Sequence, residues 1–145
     1  MVKEFHTKSV EETENVGKEL ALSINQEKAC FIAMYGDLGV GKTAFVRGLA
    51  SVLAPGARVK SPTYTVVNKY EGGKIPLYHL DVYRINDEDE LYSIGFDDYV
   101  NTGICVVEWS ENIEESVPCD AIKVKIEKEG ANFEMRKITV EVKEI

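Results

Sequence analysis

The sequence predicts an α/β fold, a mixed parallel and antiparallel sheet flanked by a few helices and ending in a C-terminal β-hairpin. Three observations carry this. An apolar run over residues 29–35 leads through a glycine-rich loop into a helical pattern over residues 44–53, which is how a strand–loop–helix unit reads. A second compact apolar run, residues 104–107, ends in Glu108-Trp109 and has the look of another buried strand. Residues 121–126 and 135–142 alternate on either side of Gly130, as the arms of a hairpin do. With 145 residues, 44% hydrophobic and 29% charged, the length and composition predict one domain over residues 1–145.

The elements follow in order. Residues 9–24 predict an amphipathic helix, with Ser9 and Glu12 as a capping box, Val16, Leu20 and Ile24 on one stripe, and Glu14 paired with Lys18. The helix after the loop is expected to stop near Pro55-Gly56. Tyr64-Thr65-Val66-Val67 is β-branched and aromatic after an extended Ser61-Pro62, and predicts a strand. Gly72-Gly73 predicts a hairpin into a strand over residues 75–83. On that strand His79, Asp81 and Tyr83 share one face. Residues 87–99 read as helix interrupted at Gly95.

The glycine-rich loop is the most specific feature. Gly36-Asp37-Leu38-Gly39-Val40-Gly41-Lys42-Thr43 fits the phosphate-loop pattern G-x-x-x-x-G-K-[ST] without a gap and stands in the required strand-to-helix setting. The glycines let successive amides face one anion, and the helix adds its positive end. In that pattern Lys42 reaches the β/γ-phosphates of a nucleotide and the Thr43 hydroxyl holds Mg²⁺. The fold expectation is therefore a P-loop NTPase-like domain.

A phosphate loop needs an acidic partner for its magnesium at the end of a neighbouring strand. Glu108 has that position, with glutamate where aspartate is commoner. Asp81 either orders a metal-bound water and accepts its proton or caps a neighbouring backbone, and the residues leave both open. His79 reads as a hydrogen-bonding core residue, because the other histidine, His6, is remote in sequence. Ser61-Pro62-Thr63 lies where a nucleotide switch segment would. Asn68-Lys69-Tyr70-Glu71 lacks the aspartate of a guanine-reading motif, which favours adenine.

The formal charge of −8 lacks the basic footprint of a protein that grips nucleic acid directly. Three cysteines without C-x-x-C spacing argue against a disulfide framework or a zinc site and suit a reducing cytoplasm. No apolar run is long enough to span a bilayer, and Met1-Val2-Lys3-Glu4 does not open a signal peptide. Only four arginines occur, too few for an arginine-rich lid, so a P-loop small-molecule kinase ranks behind slow, partner-dependent hydrolysis. A non-hydrolysing nucleotide-binding adaptor stays open as well.

The four blocks at residues 36–43, 61–67, 79–84 and 104–109 come in an order and spacing that resembles TsaE (formerly YjeE), the bacterial ATPase family of tRNA threonylcarbamoyladenosine biosynthesis. The resemblance implies ATP and Mg²⁺ as ligands and weak hydrolysis in isolation. It implies partners of the TsaD and TsaB type, the threonylcarbamoyl-transferring subunit and its inactive homologue, with tRNA engaged indirectly and no membrane involved. By the same resemblance Thr43, Glu108 and Asp81 form the metal site, and Lys42, Asp81 and Glu108 serve catalysis. Residues 61–65, including Ser61 and Thr63, would be a switch, Trp109 would lie near the nucleotide or the partner, and Ser9, Thr13 and Arg136 would contact the adenine.

Overall fold

A computed structural model describes residues 1–36, 39, 41–131 and 133–143. Its elements are β1 (Val2–Thr7), α1 (Val10–Ser23), β2 (Cys30–Tyr35), α2 (Lys42–Leu53), β3 (Val67–Tyr70), β4 (Leu77–Asp81), α3 (Glu88–Ser93), α4 (Phe96–Thr102), β5 (Ile104–Glu108), a 3₁₀ segment (Ser110–Ser116), β6 (Ile122–Lys128) and β7 (Arg136–Glu141). The strands form one seven-stranded sheet in the order β1-β7-β6-β2-β5-β4-β3. Strands β6, β2, β5 and β4 run parallel in its centre; β3 on one side and β7 on the other run opposite to them, and β1 pairs antiparallel with β7 at the edge. The predicted mixed sheet and C-terminal hairpin are both present.

Strand parity divides the core in two. Ile32 and Met34 of β2 and Ile104 and Val106 of β5 pack with Val16, Leu20, Phe45 and Leu49 of α1 and α2. Phe31, Ala33, Cys105 and Val107 face the opposite way and pack with Leu91, Phe96 and Ile113. Strands β2 and β5 are covered on both faces, which explains their unbroken apolar composition.

Helices α1 and α2 cross in close contact because each presents a glycine. A Cβ at Gly17 would overlap the Phe45 carbonyl, and one at Gly48 would overlap the Glu14 carbonyl. This approach redirects a predicted pair: Glu14 Oε1 binds Arg47 Nε across the crossing at 2.8 Å, not Lys18 along its own helix. The capping box forms only in half. The Ser9 hydroxyl accepts the Glu12 N–H at 3.1 Å, while the Glu12 carboxylate reaches the Lys8 N–H instead of that of Ser9.

Two further expectations need correcting. Residues 64–66 are a turn and not a strand, closed by the Val66 N–H donating to the Pro62 carbonyl at 2.8 Å, and β3 begins only at Val67. Val66 adopts a φ of 69°, an uncommon conformation for a β-branched residue, which ends any extended run there. Strand β1 has no counterpart in the sequence reading: it is largely polar, and it is held by pairing with β7, by Phe5 against the core and by Thr7 on Thr13. Gly95 separates α3 from α4 as expected, with φ 93°. Among the described residues no helix is long and apolar enough to cross a membrane.

Two measurements follow. Gly48→Val should lower unfolding free energy in urea by about 2–3 kcal/mol, because the added carbons displace a helix backbone and not a flexible side chain; an unchanged midpoint would contradict the close crossing. Burial pushes the Cys30 thiol from 9.0 up to about 11, with help from Asp120, and the Cys105 thiol to about 12. Both stay protonated at neutral pH, so Ellman's reagent should find one fast thiol, exposed Cys119, and two more after denaturation. Since the folded values are raised, stability intact below pH 9.0 should decline as the pH climbs toward about 11.

Candidate active site

The loop after β2, the turn before β3 and the ends of β4 and β5 meet at the carboxyl ends of the parallel strands, where open α/β sheets form ligand crevices. They enclose a cavity of about 420 Å³, within the range of small-molecule sites.

The loop enters through glycine. Gly39 and Gly41 have φ of 76° and 100°, a region that a Cβ disfavours. Gly41 offers no side-chain cap to α2, so the amides of the first turn are suited to an external anion. Lys42 is buried; its Nζ donates to the Gly36 carbonyl at 2.8 Å and lies 3.9 Å from the centroid of the Trp109 ring. Thr43 is half-buried and lines the cavity. Asp37, Leu38 and Val40 lie outside the described residues.

Opposite the loop stand two carboxylates. Parallel register pairs Asp81 with Glu108 at the ends of β4 and β5. Leu77 and Ile104 on the same strands face α2, and two-residue periodicity carries His79, Asp81 and Glu108 to that face as well. Asp81 and Glu108 are only 5% and 4% exposed. Of the two readings that the sequence left open for Asp81, the backbone cap is formed. Its Oδ1 accepts the Tyr83 N–H at 2.9 Å, a local backbone cap, and its Oδ2 faces the cavity and accepts the Thr63 hydroxyl at 3.4 Å. The Thr63 hydroxyl in turn lies 2.7 Å from that of Ser61, and both residues line the cavity. Glu108 Oε2 meets His79 Nε2 at 2.5 Å, so His79 is the hydrogen-bonding core residue that was expected.

Trp109 turns the chain at once after β5. Its φ of 64° and ψ of 38° are left-handed, a conformation costing about 1–2 kcal/mol in a residue with a Cβ. That turn sets the indole against the Tyr83 ring, 4.7 Å between centroids, and beneath the Lys42 ammonium. Arg136, at the start of β7, brackets the loop from outside. Its Nη1 donates to the carbonyls of Phe133 and Met135, and its Nη2 to that of Gly39 at 3.3 Å.

Thr13 is adjacent but not in the main cavity. Its hydroxyl meets that of Thr7 at 2.9 Å, and it lines an adjoining hollow of about 80 Å³ with Gly41, Phe133 and Arg136. Ser9 lines neither hollow; its hydroxyl caps α1. Three liners were not foreseen: Val10, Ala44 and Arg47. Arg47 was legible, since it lies one turn beyond Thr43 on the same helix face.

The arrangement has a clear chemical character. Lys42, Arg47 and Arg136 bring positive charge to one side, and a hydroxyl with two carboxylates offers hard oxygen on the other. Among the described residues no group of three or more His, Cys, Asp or Glu side chains could hold a metal alone. A site with one or two carboxylates suits a magnesium ion that takes its remaining ligands from phosphate and water. A second hollow of about 310 Å³, lined by Asp87, Glu88, Glu111, Glu114 and Glu115, would instead repel phosphate.

Comparison with known proteins agrees with this geometry. The model of the family described as threonylcarbamoyl adenosine biosynthesis protein TsaE matches residues 7–138. The tRNA threonylcarbamoyladenosine biosynthesis protein TsaE of Bacillus subtilis is 39% identical over 127 residues, covering 87% of this chain and 78% of the relative. Proteins of the same name from Haemophilus influenzae and Aquifex aeolicus are 42% and 38% identical, covering 75% and 84% of this chain and 70% and 85% of theirs. The crystal structure of Bacillus subtilis YdiB superposes with a TM-score of 0.81 at 32% identity, over 98% of this chain and 86% of that one. The chain belongs to the TsaE family of threonylcarbamoyl adenosine biosynthesis proteins.

Proposed function

We propose that the protein is a Mg²⁺-dependent ATPase of the cytoplasm that serves tRNA threonylcarbamoyladenosine modification by acting on a transferase complex of the TsaD and TsaB type. One observation carries the reading: a phosphate-loop lysine and threonine share a cavity with two buried carboxylates in strand register. The names of the relatives support the pathway, and the charge of −8 favours work on a protein partner over direct grip on tRNA.

In this reading the loop amides and Lys42 bind the phosphates of ATP, and Thr43 and Glu108, with Asp81 close by, hold Mg²⁺. Held by these residues, the ion would supply positive charge to the phosphates. Asp81 orients a water and accepts its proton as the water oxygen bonds to the γ-phosphorus. The bond from that phosphorus to the bridging oxygen breaks, releasing ADP and phosphate. Ser61 and Thr63 sense the γ-phosphate, Thr63 through its hydrogen bond to Asp81 and Ser61 through its hydrogen bond with Thr63. The adenine extends toward the hollow formed by Thr13, Phe133 and Arg136.

Lys42→Ala and Thr43→Ala should each abolish the modified nucleoside in tRNA from cells carrying the variant as sole copy, with the protein still folded by circular dichroism. Normal modification in either strain would defeat the proposal. Asp81→Asn should separate binding from turnover. Calorimetry should record ATP uptake in Mg²⁺ near the wild-type affinity, while phosphate release falls by about 10²-fold or more, the usual contribution of a positioned base.

A further inference from the structure

Behind the strand-end carboxylates runs a buried polar chain that phosphate binding does not require. His79 is fully buried and does not line the cavity. Both its ring nitrogens are engaged, Nε2 with Glu108 Oε2 at 2.5 Å and Nδ1 with the Tyr70 hydroxyl at 3.1 Å. That hydroxyl accepts the Lys60 N–H at 3.1 Å and lies 3.0 Å from the Lys60 carbonyl. The same carbonyl accepts the Asn68 amide at 3.0 Å, and Asn68 Oδ1 accepts the Thr65 hydroxyl at 2.9 Å. The turn over residues 61–65 is thus held at both ends from β3, and its first anchor continues through Tyr70 and His79 to Glu108.

A histidine merely satisfied in a core has no reason to end on a carboxylate that opens into a cavity. Here the imidazole engages one oxygen of Glu108 while the residue itself lines the site. Carboxylates that ligate metals are characteristically held in this way by an outer hydrogen bond, which sets their orientation. The partner of the imidazole is equally constrained, since Tyr70 is held by its own strand and its hydroxyl by both backbone polar groups of Lys60.

We propose that His79 is a positioning residue that aims Glu108 at the divalent ion and, through Tyr70 and the Lys60 backbone, couples occupancy of the ion to the placement of the Ser61–Thr65 turn. The inference rests on the nucleotide-and-magnesium reading of the cavity. Coupling of this kind is reciprocal: whatever orders the turn strengthens the ion, and the ion orders the turn.

The test uses the full chain as wild type, His79→Gln and Tyr70→Phe. Trp109, the chain's one tryptophan, reports ATP affinity by fluorescence in EDTA and across a Mg²⁺ series. Hydrogen exchange follows the amides of residues 61–66 with and without Mg²⁺-ATP. His79→Gln should raise the Mg²⁺ concentration for half-maximal enhancement of ATP affinity about 10-fold or more, with affinity in EDTA unchanged. Tyr70→Phe keeps the contact between His79 and Glu108, so its Mg²⁺ midpoint should move less, but Mg²⁺-ATP should no longer slow exchange in the turn. Equal midpoints in wild type and folded His79→Gln would overturn the proposal, and so would a parallel loss of affinity in EDTA, the mark of a packing role. If His79→Gln does not fold, Tyr70→Phe decides: exchange slowed as in wild type refutes the coupling. A wild type that takes up no ATP in Mg²⁺ is a separate failure, which removes the nucleotide reading and this assignment with it.

Discussion

The parallel register of β4 with β5 is the constraint on which the site depends. It brings two acidic side chains, Asp81 and Glu108, to adjacent strand ends with almost no exposure to solvent. Neighbouring strands are about 4.8 Å apart, so the two carboxylates would repel strongly in a low-dielectric interior unless opposite dipoles or charges answered them. The surroundings are arranged to do so. Asp81 takes a backbone N–H and a hydroxyl, Glu108 takes an imidazole, and the Lys42 ammonium lies across the cavity. A magnesium ion completes that balance under the proposed function.

Much of this was readable from local pattern. The phosphate loop, the apolar strands beside it, the break at Gly95 and the C-terminal hairpin all rest on interactions within a few residues of sequence. Parity was readable for His79 and Asp81, which share one face, but not for Tyr83, which was placed with them and lies beyond the end of β4, exposed. What escaped was set by distant neighbours. Strand β1 has little apolar character of its own and is ordered by β7, more than 120 residues further along the chain. The turn at residues 62–66 defeats the β-propensity of Val66 through one hydrogen bond and a left-handed φ. Glu14 finds Arg47 because two glycines let the helices approach, which no pattern within α1 reveals.

The candidate site shows the same division. Its chemical groups were legible because each sits at a motif position, but their second partners were not. Tyr70 looked like part of a failed guanine motif, and only the register of Asn68 with His79 explains why its hydroxyl meets the imidazole. Ser9, expected beside the nucleotide, accepts the Glu12 N–H as the cap of α1 and lines neither hollow. Helix capping and ligand binding draw on the same side chains, and sequence does not say which prevails.

The arginines bear on how the site would work. Arg47 is tied to Glu14, Arg84 lies over the Tyr64 ring at 5.0 Å, and Arg136 donates to three carbonyls. Each is engaged within the fold, and Arg47 and Arg136 also line the cavity. Charge developing on a transferring phosphoryl group is usually met by a cation from a lid or from a partner protein. Under the proposed function Lys42, Arg47 and Arg136 are the chain's own cations at the site. Tyr64 and Tyr83 are 82% and 51% exposed, and Tyr83 packs on Trp109, which lines the cavity.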